Sequence, residues 1–200
     1  MTALEHRLAE ILRTDPILWP ALCTAEDVAL PDWWIVSGAI YNTVWNTLTG
    51  RPPGYGIRDI DLFYFDASDL SYEAEDRIIR RARPAFAPDP PVEIRNQARV
   101  HLWFEAHFGH AIAPLTSCRE SIGQFASETH AVGVRLTRGE IEIHAPFGLD
   151  PVFGMRMVPN QKSQSQKTHE EKAKRAKTLW PEVEIVPWPD RQKTGGAHAG

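Results

Sequence analysis

The sequence predicts a mixed α/β domain, an α+β fold in which a small mixed sheet is flanked by helices. Three observations point to it. Amphipathic helical stretches alternate with short, β-branched apolar runs along the chain. "AVGVRLTRGEIEIHA" (131–145) reads as a hairpin turning at Arg138-Gly139. A hydrophobic content of 42% over 200 residues is enough for one well-cored domain.

The elements follow in order. Thr2 and Glu5 form a capping box, and Leu4, Leu8, Ile11 and Leu12 make an apolar stripe at helical spacing. A second helix is expected from Asp15, with Pro16 in its first turn. "WWIVS" (33–37) is a buried strand, and Ile40, Tyr41, Val44, Trp45 and Leu48 then mark a helix that Gly50 ends. "RPPGYGIR" is a loop and "DIDLFYFD" the second strand. A helix over about 70–83 carries acids in its first half and arginines at its end, as the helix dipole favours, and Pro84 stops it. "VEIRNQARVHLWF" begins as an alternating strand, and Ser117 with Glu120 frames another capping box before "SIGQFAS". After the hairpin, "GLDPVFGMRMVPN" is turn-rich. A lysine-rich helix over 167–180 closes at Pro181. We therefore expect a single domain over 1–189: a helical segment 1–30, a core 31–160 and the C-terminal helix. A disordered tail is expected over 190–200, where the residues are small and polar.

Composition narrows the function. A net charge of −4 gives no basic footprint for duplex nucleic acid. No apolar run approaches the length of about 18 residues that a membrane helix needs. "MTALEHRLAEILR" is acidic and helical rather than a signal peptide. Cys23 and Cys118 are distant in sequence and read as packing residues of a reduced, cytoplasmic protein. Within "GIRDIDLFYFD", Asp59 and Asp61 are two apart, so on a strand they share a face. At about 6 Å they repel by roughly 3 kcal/mol at an effective dielectric near 20. A bound cation would remove that cost. Glu93, flanked by Val92 and Ile94, completes an Asp-Asp-Glu set if its strand is adjacent. Oxygen donors of this kind suit Mg²⁺ or Mn²⁺. Ser37-Gly38 opens a helix after a strand, a place where backbone N–H groups can receive phosphate. The plain alternatives are a solvated strand edge for the aspartates, an ion pair to Arg95 for Glu93, and a tight turn for Ser37-Gly38.

These blocks resemble the DNA polymerase beta type of nucleotidyltransferase superfamily. More closely, "SGAIYNTVWN", "RDIDLFYFD", "EIRNQARVHLW", "AVGVRL", "APFGLDPVFGMRMVPN" and "KRAKTLWP" resemble a bacterial family of nucleotidyltransferase-like proteins over about 33–182. The resemblance implies a metal–nucleotide site at the strand ends, with Asp59 and Asp61 as the metal pair and Glu93 as third acid. It implies Ser37 and Gly38 on the phosphates of a nucleoside triphosphate. The turn departs from the superfamily pattern, since Gly38 is followed by Ala39 rather than Gly or Ser.

Asn96, Gln97, Arg99 and His101 are candidates for contacting a base, ribose or acceptor; alternatively Asn96 and Gln97 satisfy backbone groups at a strand end. Arg135 is expected to pair with an acid, His144 to be packed, and Asp150 to cap a turn. One of Lys172, Arg175 or Lys177 can reach a phosphate from an otherwise solvated helix. Trp33, Trp34 and Trp45 are core or base-stacking candidates. The expected activity is metal-dependent transfer of a nucleoside monophosphate to an acceptor hydroxyl on a small molecule, an RNA end or a protein side chain. The alternatives are a non-catalytic binding protein on a degenerate fold, which the Gly-Ala turn favours, and a D-x-D glycosyltransferase using a sugar nucleotide.

Overall fold

The computed structural model describes residues 1–109 and 111–189, so the expected tail at 190–200 lies outside the described residues. Helices α1 (Ala3–Thr14) and α2 (Leu18–Val28) precede strand β1 (Trp34–Val36), helix α3 (Gly38–Thr49) and strand β2 (Ile60–Tyr64). Then come α4 (Tyr72–Ala82), β3 (Val92–Asn96), α5 (His101–Phe108) and α6 (Cys118–Gly123). The hairpin β4 (Gly133–Thr137) and β5 (Glu140–His144), α7 (Asp150–Phe153), β6 (Arg156–Met157), α8 (Gln166–Leu179) and β7 (Glu184–Ile185) complete the chain. Among the described residues no helix is long and apolar enough to cross a membrane.

Five strands form one mixed sheet in the order β3-β2-β1-β4-β5. Only β2 and β3 run parallel there; β1 lies antiparallel to both β2 and β4, and β4 to β5. The side-chain period of two divides each strand between two layers. Ile35, Ile60, Leu62 and Tyr64 join the main core with α1, α2, α3 and α8, whose anchors include Leu8, Leu22, Trp45 and Trp180. Trp34 and Val36 turn to the opposite face and pack with Cys118, Ile122 and Ala131, against Phe63 and Phe125. Both cysteines are free thiols, and burial pushes that of Cys118 well up.

Several local expectations need correction. The second helix begins at Leu18 rather than at Asp15. Asp15 stands before it and accepts hydrogen bonds from the N–H groups of Ile17 and Leu18. The proline within the first turn is Pro20, where a missing N–H costs nothing. The reciprocal box at Ser117 is half formed. Ser117 accepts from the Glu120 N–H, but the Glu120 carboxylate turns to the N–H and hydroxyl of Thr116. Past β3 the chain makes a single 3₁₀ turn, Gln97–Arg99, and then α5.

Asn96 closes β3. Its carbonyl oxygen accepts from the N–H groups of Asp66 and Ala98, and its amide donates to the Asp66 carbonyl. Its own N–H donates to Glu75 of α4. Asn96→Ala would keep the backbone bond to Glu75 but leave the Asp66 and Ala98 N–H groups and the Asp66 carbonyl without these partners, which we expect to cost about 2–4 kcal/mol. Urea denaturation should show the midpoint falling with the slope unchanged; an unchanged midpoint would mean that water replaces the amide at no cost.

Candidate active site

Asp61 sits in β2 between two neighbours, opposite Val36 of β1 and Glu93 of β3. Because Ile60, Leu62 and Tyr64 turn into the main core, Asp61 and Phe63 take the other face. Asp59 stands just before the strand, two residues away on the same side. Both aspartates are half-buried and line one polar cavity of about 240 Å³ with Gly38, Tyr41, Arg58, Lys172 and Arg175. Burial, followed by the charge of Asp59, pushes the Asp61 carboxyl up to about 6; Glu93 adds to the rise, while Lys172 and Arg95 oppose it. The repulsion read from the D-x-D spacing is therefore present.

The facing wall is α8. Trp180, fully buried, fixes the end of that helix: its indole N–H donates to Asn46 on α3, and its ring meets Trp45 edge-on at 5.4 Å. Lys172 and Arg175 lie one to two turns upstream and so come to rest over the aspartates. Arg175 donates to the Gly56 carbonyl at 2.7 Å. Beneath them Tyr41 keeps its proton, since burial raises its hydroxyl to about 12. The Tyr41 ring stacks on His130 at 5.2 Å. Burial, aided by Lys172, holds His130 well below the usual histidine range and thus neutral.

Ser37 and Gly38 part company. Ser37 adopts φ +57°, a left-handed conformation that strains a non-glycine residue. Gly38 lines the polar cavity, and a Cβ there would meet nothing within 4 Å, so the backbone lies open to approach. Ser37 lines a second cavity that Asp61 also borders, and its buried hydroxyl has no hydrogen-bond partner.

Among the described residues no group of three His, Cys, Asp or Glu side chains is arranged to hold a metal ion. Glu93, half exposed, pairs with Arg95 at 3.1 Å. Asn96 and Arg99 are engaged elsewhere. Arg99 pairs with Glu75 and donates to the Leu70 carbonyl, tying the turn after β3 to α4 and the segment before it. Gln97 accepts from Ser121, and the Nδ1 of His101 is buried without a partner. Arg135 pairs with Glu142 over the ring of Trp34. Trp33, Trp34 and Trp45 are all buried, and His144 packs near Trp34. Asp150 opens the short helix α7, and Lys177 donates to carbonyls of Pro181 and Val183. Arg58 and His130 carried no pattern of their own in the sequence; the first is flagged only by its position beside Asp59.

A family model described as nucleotidyltransferase matches residues 23–185. The chain belongs to this nucleotidyltransferase family. The fold agrees: the chain is similar to a solved structure described as revealing a CCA-adding enzyme head domain. That similarity has a TM-score of 0.72 at 24% identity and covers 92% of this chain and 96% of that one. No curated protein matches the chain. In this nucleotidyltransferase, the residues that the fold gathers into the polar cavity are the Asp59-Asp61 pair and the cations of α8.

Proposed function

We propose that this nucleotidyltransferase moves a nucleoside monophosphate from a nucleoside triphosphate to an acceptor hydroxyl, using Mg²⁺ or Mn²⁺. One observation carries the reading: two half-buried carboxylates share a cavity with Lys172 and Arg175, so that anionic and cationic groups converge. The donor set fits a hard divalent cation. Asp59 and Asp61 supply oxygens only, and their mutual repulsion rewards a cation between them. Phosphate oxygens and water would be among the remaining ligands. A cation held there would neutralise charge that develops on the phosphates during transfer.

The chain's own groups do the rest. Lys172, Arg175 and Arg58 draw in the β- and γ-phosphates, Tyr41 offers its hydroxyl proton, and the Gly38 backbone allows close approach at the start of α3. Glu93, next to Asp61 across the β2–β3 register, takes the hydroxyl proton and passes it to solvent. Cytidine and adenosine triphosphates are the donors to try first, after the solved structure described as a CCA-adding enzyme head domain.

The test is calorimetric titration with Mg²⁺ or Mn²⁺ and an ATP or CTP analogue carrying a methylene between the α- and β-phosphorus. Wild type should bind only with metal. Asp59→Ala/Asp61→Ala should weaken binding at least about 100-fold, or about 2.7 kcal/mol. Absence of binding for every triphosphate with both metals would overturn the reading.

A further inference from the structure

Asp61 also borders a second cavity of about 310 Å³, and its chemistry is different. Phe63, Phe125, Trp103 and Phe104 contribute aromatic walls. Asp61 and Lys172 border both cavities, so the second opens onto the same reacting centre. Two polar atoms in its wall, the Ser37 hydroxyl and Nε2 of His130, are buried and have no hydrogen-bond partner. Buried polar atoms without partners are uncommon and cost free energy, so their presence beside a catalytic carboxylate points to a polar group brought by a ligand.

We infer that this cavity holds the acceptor, and that the acceptor is a small neutral molecule with a ring and a free hydroxyl. The inference rests on the transfer reading above. In phosphoryl transfer the attacking and leaving oxygens lie in line on opposite sides of phosphorus. With the pyrophosphate in the cationic cavity, the attacking oxygen would come from the aromatic cavity, which shares Asp61 and Lys172 with it. The hydroxyl oxygen forms a bond to the α-phosphorus as the bond from that phosphorus to the bridging oxygen breaks. Pyrophosphate leaves, and the hydroxyl proton goes to the Glu93 carboxylate.

Neutrality follows from the lining. Its cations among the described residues are Arg95, already paired with Glu93, and Lys172, shared with the phosphate side. His130 is uncharged. A polyanionic acceptor such as an RNA end would find few charges here to bind its phosphates. The volume, at the small end of ligand pockets, suits one ring system rather than a chain of nucleotides.

The probe is 2-(2-naphthyl)ethanol, titrated calorimetrically beside the methylene ATP analogue with Mg²⁺ and a short single-stranded RNA with a free 3′-hydroxyl. Gln124 lines the cavity from the exposed end of α6, so Gln124→Trp fills it without entering the core. Wild type should bind the naphthyl alcohol with Kd below about 1 mM. Gln124→Trp should weaken the alcohol at least tenfold and leave the ATP analogue unchanged. Should that variant fold poorly, Trp103→Ala, at a side chain 45% exposed, should weaken the alcohol by a similar factor. If Gln124→Trp weakens the ATP analogue instead, the cavity holds the base and the acceptor assignment falls, with the transfer reading intact. RNA binding that depends on Gln124, without alcohol binding, overturns the small-molecule acceptor. Failure of every triphosphate to bind overturns the transfer reading, and the acceptor role with it.

Discussion

Asp61→Asn should raise the melting temperature at neutral pH in EDTA while it abolishes transfer. In the folded protein burial, and then the charge of Asp59, push the Asp61 carboxyl up from the usual carboxylate range to about 6. The folded state therefore binds more protons than the unfolded chain between about pH 4 and 6. Stability is full below the unfolded value and falls as pH rises through the folded one. A rise of that size corresponds to about 3 kcal/mol. Asp61 keeps some contact with water, which reduces the expected gain to about 1–2 kcal/mol, or roughly 2–8 °C for a chain of this size. The amide carries no charge, so the decline in stability between pH 4 and 6 should disappear in the variant. Mg²⁺ or Mn²⁺ should stabilise wild type and leave Asp61→Asn unmoved. A variant less stable than wild type at pH 7 without metal would mean that the carboxylate is satisfied in the fold. It would then not be held in reserve for a cation.

What the sequence made legible was local. The Thr2 and Glu5 box forms as read, and Gly50 ends α3 in the left-handed conformation. Arg138 and Gly139 both take positive φ at the hairpin turn. The aspartate pair was legible for the same reason, since a spacing of two fixes a shared face in an extended chain. The facing cations were not. Lys172 and Arg175 sit on a helix whose charge pattern alone reads as solvated, and they reach the site because Trp180 inserts against Trp45 and Asn46, more than 130 residues earlier. The parallel pair β6–β7 escaped notice because two-residue strands carry no period. The parting of Ser37 from Gly38 depends on one backbone angle that residue type does not announce.

Gly56→Ala should be the most damaging change outside the carboxylates, because one residue serves both the fold and the cation wall. Gly56 has φ +74°, and a Cβ there would stand 2.4 Å from Cη2 of Trp180. Its carbonyl accepts from Arg175 and Asn42. The left-handed backbone costs an alanine about 1–2 kcal/mol, and crowding a filled core costs about 1–3 kcal/mol more. We expect about 3 kcal/mol in all, seen as a drop in melting temperature of roughly 6–12 °C. The fully buried Trp180 has nowhere to move except outward, which carries the end of α8 and Arg175 away from Asp59. Affinity for the triphosphate should therefore fall together with stability. A double-mutant cycle separates the two causes. Trp180→Leu removes the ring that the methyl strikes, so the pair should be more stable than the sum of the single losses by about 1–2 kcal/mol. Nucleotide affinity should not recover with it, because Trp180→Leu also removes the anchor that sets Arg175 over the aspartates. Additive stability losses would show that the strain lies in the backbone alone, and full recovery of affinity would show that Arg175 is held by the Gly56 carbonyl without help from Trp180.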